Sequence, residues 1–242
     1  MNTKKLVQFG AGNIGRSFIG QLFGRAGYEV VFVDVAPDLV AALNEAGRYR
    51  VIVKQSGAAD QTLWVAGVRA VNGREPDRVA AELADADLAC TAVGAGALRY
   101  IWPVLARGLT ARAAAHAKPL DVIFAENERD VAAQARVALQ AELGPDFPLD
   151  QAAGLVESSI GKMVPIIRAE DLAQDPLWVF AEPYNTLILD RRGFRNGVPP
   201  VPGIKAVDNI RAYVDRKLFV HNLGHAAAAY LGQQADAGLT YI

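Results

Sequence analysis

The 242-residue chain carries 25 basic and 26 acidic side chains, a net charge of −1, and 52% apolar residues. That balance belongs to a globular protein with a full core, and it excludes the basic footprint of a nucleic-acid or anionic-membrane binder. Cys90 is the only cysteine, so an internal disulfide is excluded and a reducing compartment fits.

In chain order, the opening residues carry too short an apolar run for a signal peptide. No segment approaches the roughly 18 apolar residues of a membrane span, which predicts a cytoplasmic protein. Residues 5–9 read as a short strand entering Gly10-Ala11-Gly12-Asn13-Ile14-Gly15, with a helix from Ile14 to about Arg25 and Gly27 as its stop. Glu29 to Asp34 is an apolar run without alternation, which predicts a buried strand. A helix is expected over Pro37–Ala46, a strand over Arg48–Lys54, an extended run over Leu63–Val71 and a helix over Pro76–Ala84. Leu88 to Val93 is a further buried strand, with Cys90 inside it as a structural thiol. It ends at Gly94-Ala-Gly96, a helix to about Leu109 follows, and the strand Leu120–Ala125 leads into Glu126-Asn127. Strands alternating with helices predict a parallel, doubly wound Rossmann-type sheet.

After about residue 150 the pattern turns extended, over Gly154–Arg168 and Trp178–Asp190, with few helical signals between them. Arg191–Gly203 is rich in Gly, Pro and Arg and reads as a connecting loop. One long helix is expected from about Val207 to Gln234. The domains expected are a dinucleotide-binding unit with an extended sheet over 1–190, then a linker and the beginning of an all-α unit over 191–242. That helix has no visible partner helices in the sequence, so a longer helical domain is expected.

Between a strand and a helix, Gly10 permits a tight turn, Gly12 lets backbone approach a pyrophosphate, and Gly15 lets the helix pack on the strand. The helix amino terminus adds free N–H groups for phosphate. Asp34 closes the second strand 19 residues after Gly15. A carboxylate there accepts from ribose hydroxyls and repels a 2′-phosphate, which predicts NAD rather than NADP. Gly94 and Asn127 follow parallel strands at the ligand-binding edge, although Gly94 can be a simple turn and Asn127 can cap a helix beginning near Glu128. At about 100° per residue, Lys217, Asn222 and His225 fall near 0°, 140° and 80° on one side of the last helix. A solvated helix face explains three such polar residues as readily as a site does. One Cys and three His residues do not make a zinc set, so no metal is expected.

Phe9-Gly-Ala-Gly-Asn-Ile-Gly-Arg16, Thr91-Ala-Val-Gly94, Ala125-Glu-Asn127 and Arg216-Lys-Leu-Phe219 with Asn222-Leu-Gly-His-Ala226 resemble the polyol-specific long-chain dehydrogenases. The resemblance runs through nearly the whole chain and implies an NAD-dependent enzyme. The reaction it implies converts a sugar-alcohol phosphate into a sugar phosphate, of the mannitol 1-phosphate to fructose 6-phosphate type. An unphosphorylated polyol or a sugar acid is the alternative substrate, and the runner-up enzyme is a ketopantoate or hydroxy-acid reductase. The non-enzyme alternative is an NAD-sensing or structural domain, or an inactive remnant. By the same resemblance Lys217 is the general base, Asn222 and Asn127 donate to the developing oxyanion, and His225 orients the substrate hydroxyl or Lys217. The family's Asp-Arg pair before Ile/Val-Pro is replaced by Gly161-Lys162, and His221 stands where relatives carry other residues. Lys162, Arg191, Arg192 and Arg195 are the basic residues expected near the cleft. The partners expected are a small polyol or polyol phosphate, no nucleic acid, no membrane, and a monomer or small homo-oligomer.

Overall fold

The computed structural model describes residues 3–165 and 167–239. Its strands in chain order are β1 (Lys5–Phe9), β2 (Glu29–Asp34), β3 (Arg48–Val53), β4 (Gln61–Ala66), β5 (Val68–Asn72) and β6 (Leu88–Thr91). They continue as β7 (Leu120–Phe124), β8 (Ala153–Ser159), β9 (Val179–Ala181), β10 (Leu187–Asp190) and β11 (Ile204–Val207). The main sheet has the order β11-β10-β8-β7-β6-β1-β2-β5, parallel from β5 to β8. β10 then runs antiparallel to β8, and β11 parallel to β10.

Both faces of this sheet are buried, which is why the strand sequences do not alternate. On β1 and β2, Leu6, Val30 and Phe32 enter one core, whereas Val7, Phe9, Val31 and Val33 enter the other. Helices Pro76–Ala84, Trp102–Ala114 and Val131–Leu143 cover the second face through Leu83, Leu105, Leu109 and Leu139. The first face is covered by the helical segment that follows the glycine turn and by a separate three-stranded sheet, β4-β3-β9.

Several segments depart from the expected pattern. Leu63–Val71 is two strands of different sheets, broken at Gly67, whose φ of +70° favours glycine. A short helix, Ala169–Gln174, lies between the extended runs, and β11 follows the Arg191–Gly203 loop to rejoin the main sheet. The helix after Gly96 begins at Trp102, after a 3₁₀ turn at Ala95–Tyr100. The last helix starts at Ile210 and contains a π-helical turn, Lys217–Asn222, between its α segments Ile210–Arg216 and Leu223–Ala235. Its root packs through Ile210 and Val214 on Ile188 and Val207. No described helix is long and apolar enough to cross a membrane.

Candidate active site

The strand order reverses between β1 and β6, because the chain winds outward from β1 to β5 on one side and from β6 to β8 on the other. Ligands of doubly wound sheets bind at that crevice, beyond the carboxyl ends of the strands. A cavity of about 860 Å³ opens there, lined among others by Ile14, Gly94, Asn127, Lys217, Asn222 and His225. Residues far apart in sequence thus share one space.

The turn after β1 is tightly determined. Gly10 has φ +88°, and a Cβ on it would lie 2.4 Å from the Ala92 carbonyl oxygen. A Cβ on Gly15 would lie 2.0 Å from the Gly10 carbonyl oxygen, so only glycine lets the helix come this close. A Cβ on Gly12 would meet nothing within 4 Å. Gly12 and Asn13 are exposed at the rim, whereas Ala11 is buried. The Asp34 carboxylate accepts from Ala11 N at 2.8 Å and Ala36 N at 3.0 Å, which fixes it at the end of β2 with lone pairs to spare. Open space over Gly12 beside a fixed carboxylate fits the diphosphate and ribose of a dinucleotide.

Gly94, with φ +84°, is more than a passive turn. Its N–H donates to Glu126 at 2.8 Å, and Val93 N donates to the other oxygen at 3.0 Å. Sequence reasoning missed Glu126 as a site residue. The available signal was a carboxylate just after the apolar run Val122–Ala125, where a buried charge needs partners.

Asn127 is not a helix cap. The helix begins at Val131, and Glu157 on β8 holds its first amides, accepting from Val131 N at 3.3 Å and Ala132 N at 2.8 Å. Asn127 instead accepts from Lys217 Nζ through Oδ1. Burial lowers the Lys217 pKa from the ordinary lysine value. The source of that burial differs from the expected one: Val220 is 60% exposed, and Leu218 turns toward the core under β10, so the apolar neighbours on the helix do not enclose Lys217. Its position at the seam between the helix and the sheet edge does.

The π turn matters to the trio. On an α-helix, residues 217 and 222 would stand about 140° apart, whereas an i→i+5 turn is wider and brings them toward one side. Asn222 and His225 line the cavity, and among the described residues neither hydrogen-bonds Lys217. His221 also lines it.

The expected basic cluster divides. Lys162 lines the cavity but is committed, its Nζ donating to the carbonyls of Glu182 at 3.3 Å and Tyr184 at 2.9 Å and to Asn185 Oδ1 at 2.9 Å. Burial pushes its pKa down to about 8. Arg191, Arg192 and Arg195 lie elsewhere, paired with Asp208, Asp190 and Asp150, so they do not line the cleft. Arg216 lines it instead. Cys90 is fully buried, and burial raises its thiol pKa, as a structural cysteine requires.

A sequence model described as the mannitol dehydrogenase Rossmann domain matches residues 4–203. A mannitol-1-phosphate 5-dehydrogenase of Geobacillus thermodenitrificans is 41% identical over 234 residues, covering 95% of this chain and 59% of that protein. The Brevibacillus brevis protein of the same name is 40% identical, covering 94% of this chain and 58% of its own length. The chain therefore spans less than two thirds of the curated relatives it matches. Among solved structures, a substrate-free D-sorbitol dehydrogenase superposes with TM-score 0.79 at 17% identity, covering 92% of this chain and 57% of that one. Mannitol 2-dehydrogenase of Pseudomonas fluorescens, solved with NAD and D-mannitol, gives 0.74 at 13% identity, covering 89% and 55%. At such identities these two speak for the fold alone. With its matched region running from β1 through β10, the chain belongs to the mannitol dehydrogenase family.

Proposed function

We propose that this chain supplies the cofactor site and part of the substrate site of an NAD-dependent dehydrogenase that interconverts mannitol 1-phosphate and fructose 6-phosphate. In this reading residues 1–190 bind the dinucleotide, and 191–242 form a linker, which returns β11 to the sheet, and the beginning of a helical unit. The observation that carries the reading is the meeting of Lys217 Nζ with Asn127 Oδ1 in a cavity that also reaches Ile14 and Gly94. The names of the relatives support the phosphorylated hexitol.

The turn Gly10–Gly15, with Ala11, Gly12, Asn13 and Ile14, would hold the diphosphate, Asp34 the adenosine ribose, and Gly94 and Asn127 the nicotinamide end. When bound, NAD supplies the acceptor for the hydride leaving the carbinol carbon. The hydroxyl proton then needs a base within hydrogen-bond reach, and Lys217 Nζ accepts it in its neutral form. Burial favours that form by disfavouring the ammonium. Asn127, with its Oδ1 engaged by Lys217, keeps its Nδ2 free to donate to the substrate oxygen, and Asn222 offers a second amide donor. His225 orients the substrate hydroxyl from the following turn.

The test is a substrate and cofactor screen on the full-length protein. Mannitol 1-phosphate with NAD should give the highest kcat/KM, and NADP should bind more weakly than NAD because Asp34 faces its 2′-phosphate. Better turnover of free mannitol would overturn the phosphate assignment, and equal or tighter NADP binding would overturn the role of Asp34.

A further inference from the structure

Beneath the glycine turn lie two side chains outside the cavity wall, Gln8 and Arg16. We propose that Arg16 is the positioning residue that aims the turn's amides at the cofactor diphosphate. The inference rests on the reading that the Gly10–Gly15 turn holds a dinucleotide.

Arg16 is 5% exposed. Its Nε donates to the Ala11 carbonyl at 2.6 Å and its Nη1 to the Leu177 carbonyl at 2.8 Å. The Tyr49 hydroxyl donates to the Arg16 carbonyl at 2.7 Å, holding the backbone that carries the guanidinium. Gln8 completes the set, its Nε2 donating to the carbonyls of Phe9 at 2.7 Å and, more loosely, Gly10 at 3.4 Å. Three successive carbonyls of the turn are therefore drawn inward by buried side chains.

The consequence follows from peptide geometry. A trans peptide is planar, with its C=O and N–H on opposite sides. Pinning the Ala11 carbonyl inward turns the Gly12 N–H outward, on a residue whose Cβ position is open for 4 Å around. That direction is the one a diphosphate oxygen needs. The guanidinium also places a buried cation one peptide away from the expected phosphates, with Asp34 and Asp175 as the carboxylates facing it. Attraction in such a setting is screened less than at the surface. A merely structural arginine would staple the three-stranded sheet to the turn through Leu177 and do nothing for anions.

Ligand affinities separate the two roles. In the full-length protein, dissociation constants for NADH, ADP and adenosine are measured by calorimetry or competition for wild type, Arg16→Lys and Arg16→Met, together with Tm. Arg16→Met should weaken NADH and ADP, which carry the diphosphate, by about tenfold or more. Adenosine, which only Asp34 would hold, should change by no more than about twofold, since its contact does not involve the Gly12 amide. Arg16→Lys, with the charge kept but one planar fork lost, should fall between; the same ratios in this variant decide the question if Arg16→Met does not fold. Equal weakening of all three ligands, or a lower Tm with unchanged NADH and ADP binding, would overturn the proposal. A wild-type protein that bound neither NADH nor ADP would remove the dinucleotide reading itself.

Discussion

Behind the cavity's amino-terminal wall, which Ile14 forms, the carbonyls of Phe9, Gly10 and Ala11 are each engaged by a buried side chain. At the carboxyl-terminal wall, Asn222 and His225 project from a helix on which Phe219, Leu223 and Tyr230 are 60%, 63% and 78% exposed. The first wall is determined by contacts within the Rossmann half. The second is anchored at its root by Ile210 and Val214 and by the Arg129–Asp215 ion pair, and beyond Leu218 it touches little. Substitutions at the packed positions of the turn should therefore disturb stability and cofactor binding together, whereas substitutions in the helix should disturb chemistry alone.

The largest expected effect lies on the loosely held wall. Lys217→Ala should lower turnover by about 10² to 10⁴, the usual contribution of a positioned base, with NAD affinity unchanged. Wild-type alcohol oxidation should rise with pH through an ionisation below the value of about 10.4 for free lysine, and the variant should lose that limb. The check is kcat against pH on the full-length proteins; a variant with the wild-type profile and more than about a tenth of its turnover would remove Lys217 from the chemistry.

A smaller effect separates two glycines of the tight wall. Gly15→Ala puts a methyl group 2.0 Å from the Gly10 carbonyl oxygen and should cost about 1–3 kcal/mol, seen as a lower Tm together with weaker NAD binding. Gly12→Ala has open space and should keep the wild-type Tm while weakening NAD by occupying the place proposed for the diphosphate. Equal Tm loss in the two variants would contradict this division.

The smallest effect concerns Lys162, which ties the Gly161 segment to Glu182–Asn185. Burial pushes its folded-state value down to about 8 from 10.5. A depressed lysine binds fewer protons folded than unfolded, so its cost to stability is full below pH 8 and relieved as pH rises toward 10.5. The Tm of wild type relative to Lys162→Met should rise across that window. Parallel curves from neutral pH to pH 10 would show that Lys162 titrates normally.

The sheet was legible because β1, β2, β6 and β7 are mostly apolar runs that lead into Gly, Asp or Asn at one edge. Elements fixed by distant partners were not. Gly67 splits an even-looking apolar stretch because β4 pairs with β3 while β5 pairs with β2. Asn127 reads locally as a cap, but Glu157, 30 residues later, satisfies the helix and leaves Asn127 to Lys217. The positions of the glycine turn, Asp34 and the Lys217–His225 face were visible from spacing. Arg16 and Glu126 were not visible from spacing, since their partners are backbone atoms; for Glu126 only its place after an apolar run signalled burial. The arginines at 191, 192 and 195 misled because Gly- and Pro-rich surroundings mark a loop without saying which side of the sheet it crosses.

The three-stranded sheet joins β3, near residue 50, to β9, which begins at Val179. Pairing across so long a separation is slow to form, because closing the loop costs entropy before any contact repays it. Leu177 lies just before that strand and supplies one of the two carbonyls that Arg16 holds. During synthesis the glycine turn leaves the ribosome well before Leu177 does. Its Arg16 guanidinium gains the second carbonyl partner only after residue 177 has followed and docked. The glycine turn thus precedes the strand that braces it, and a nascent chain cut short before β9 would carry every glycine of the motif without the Leu177 carbonyl that Arg16 holds.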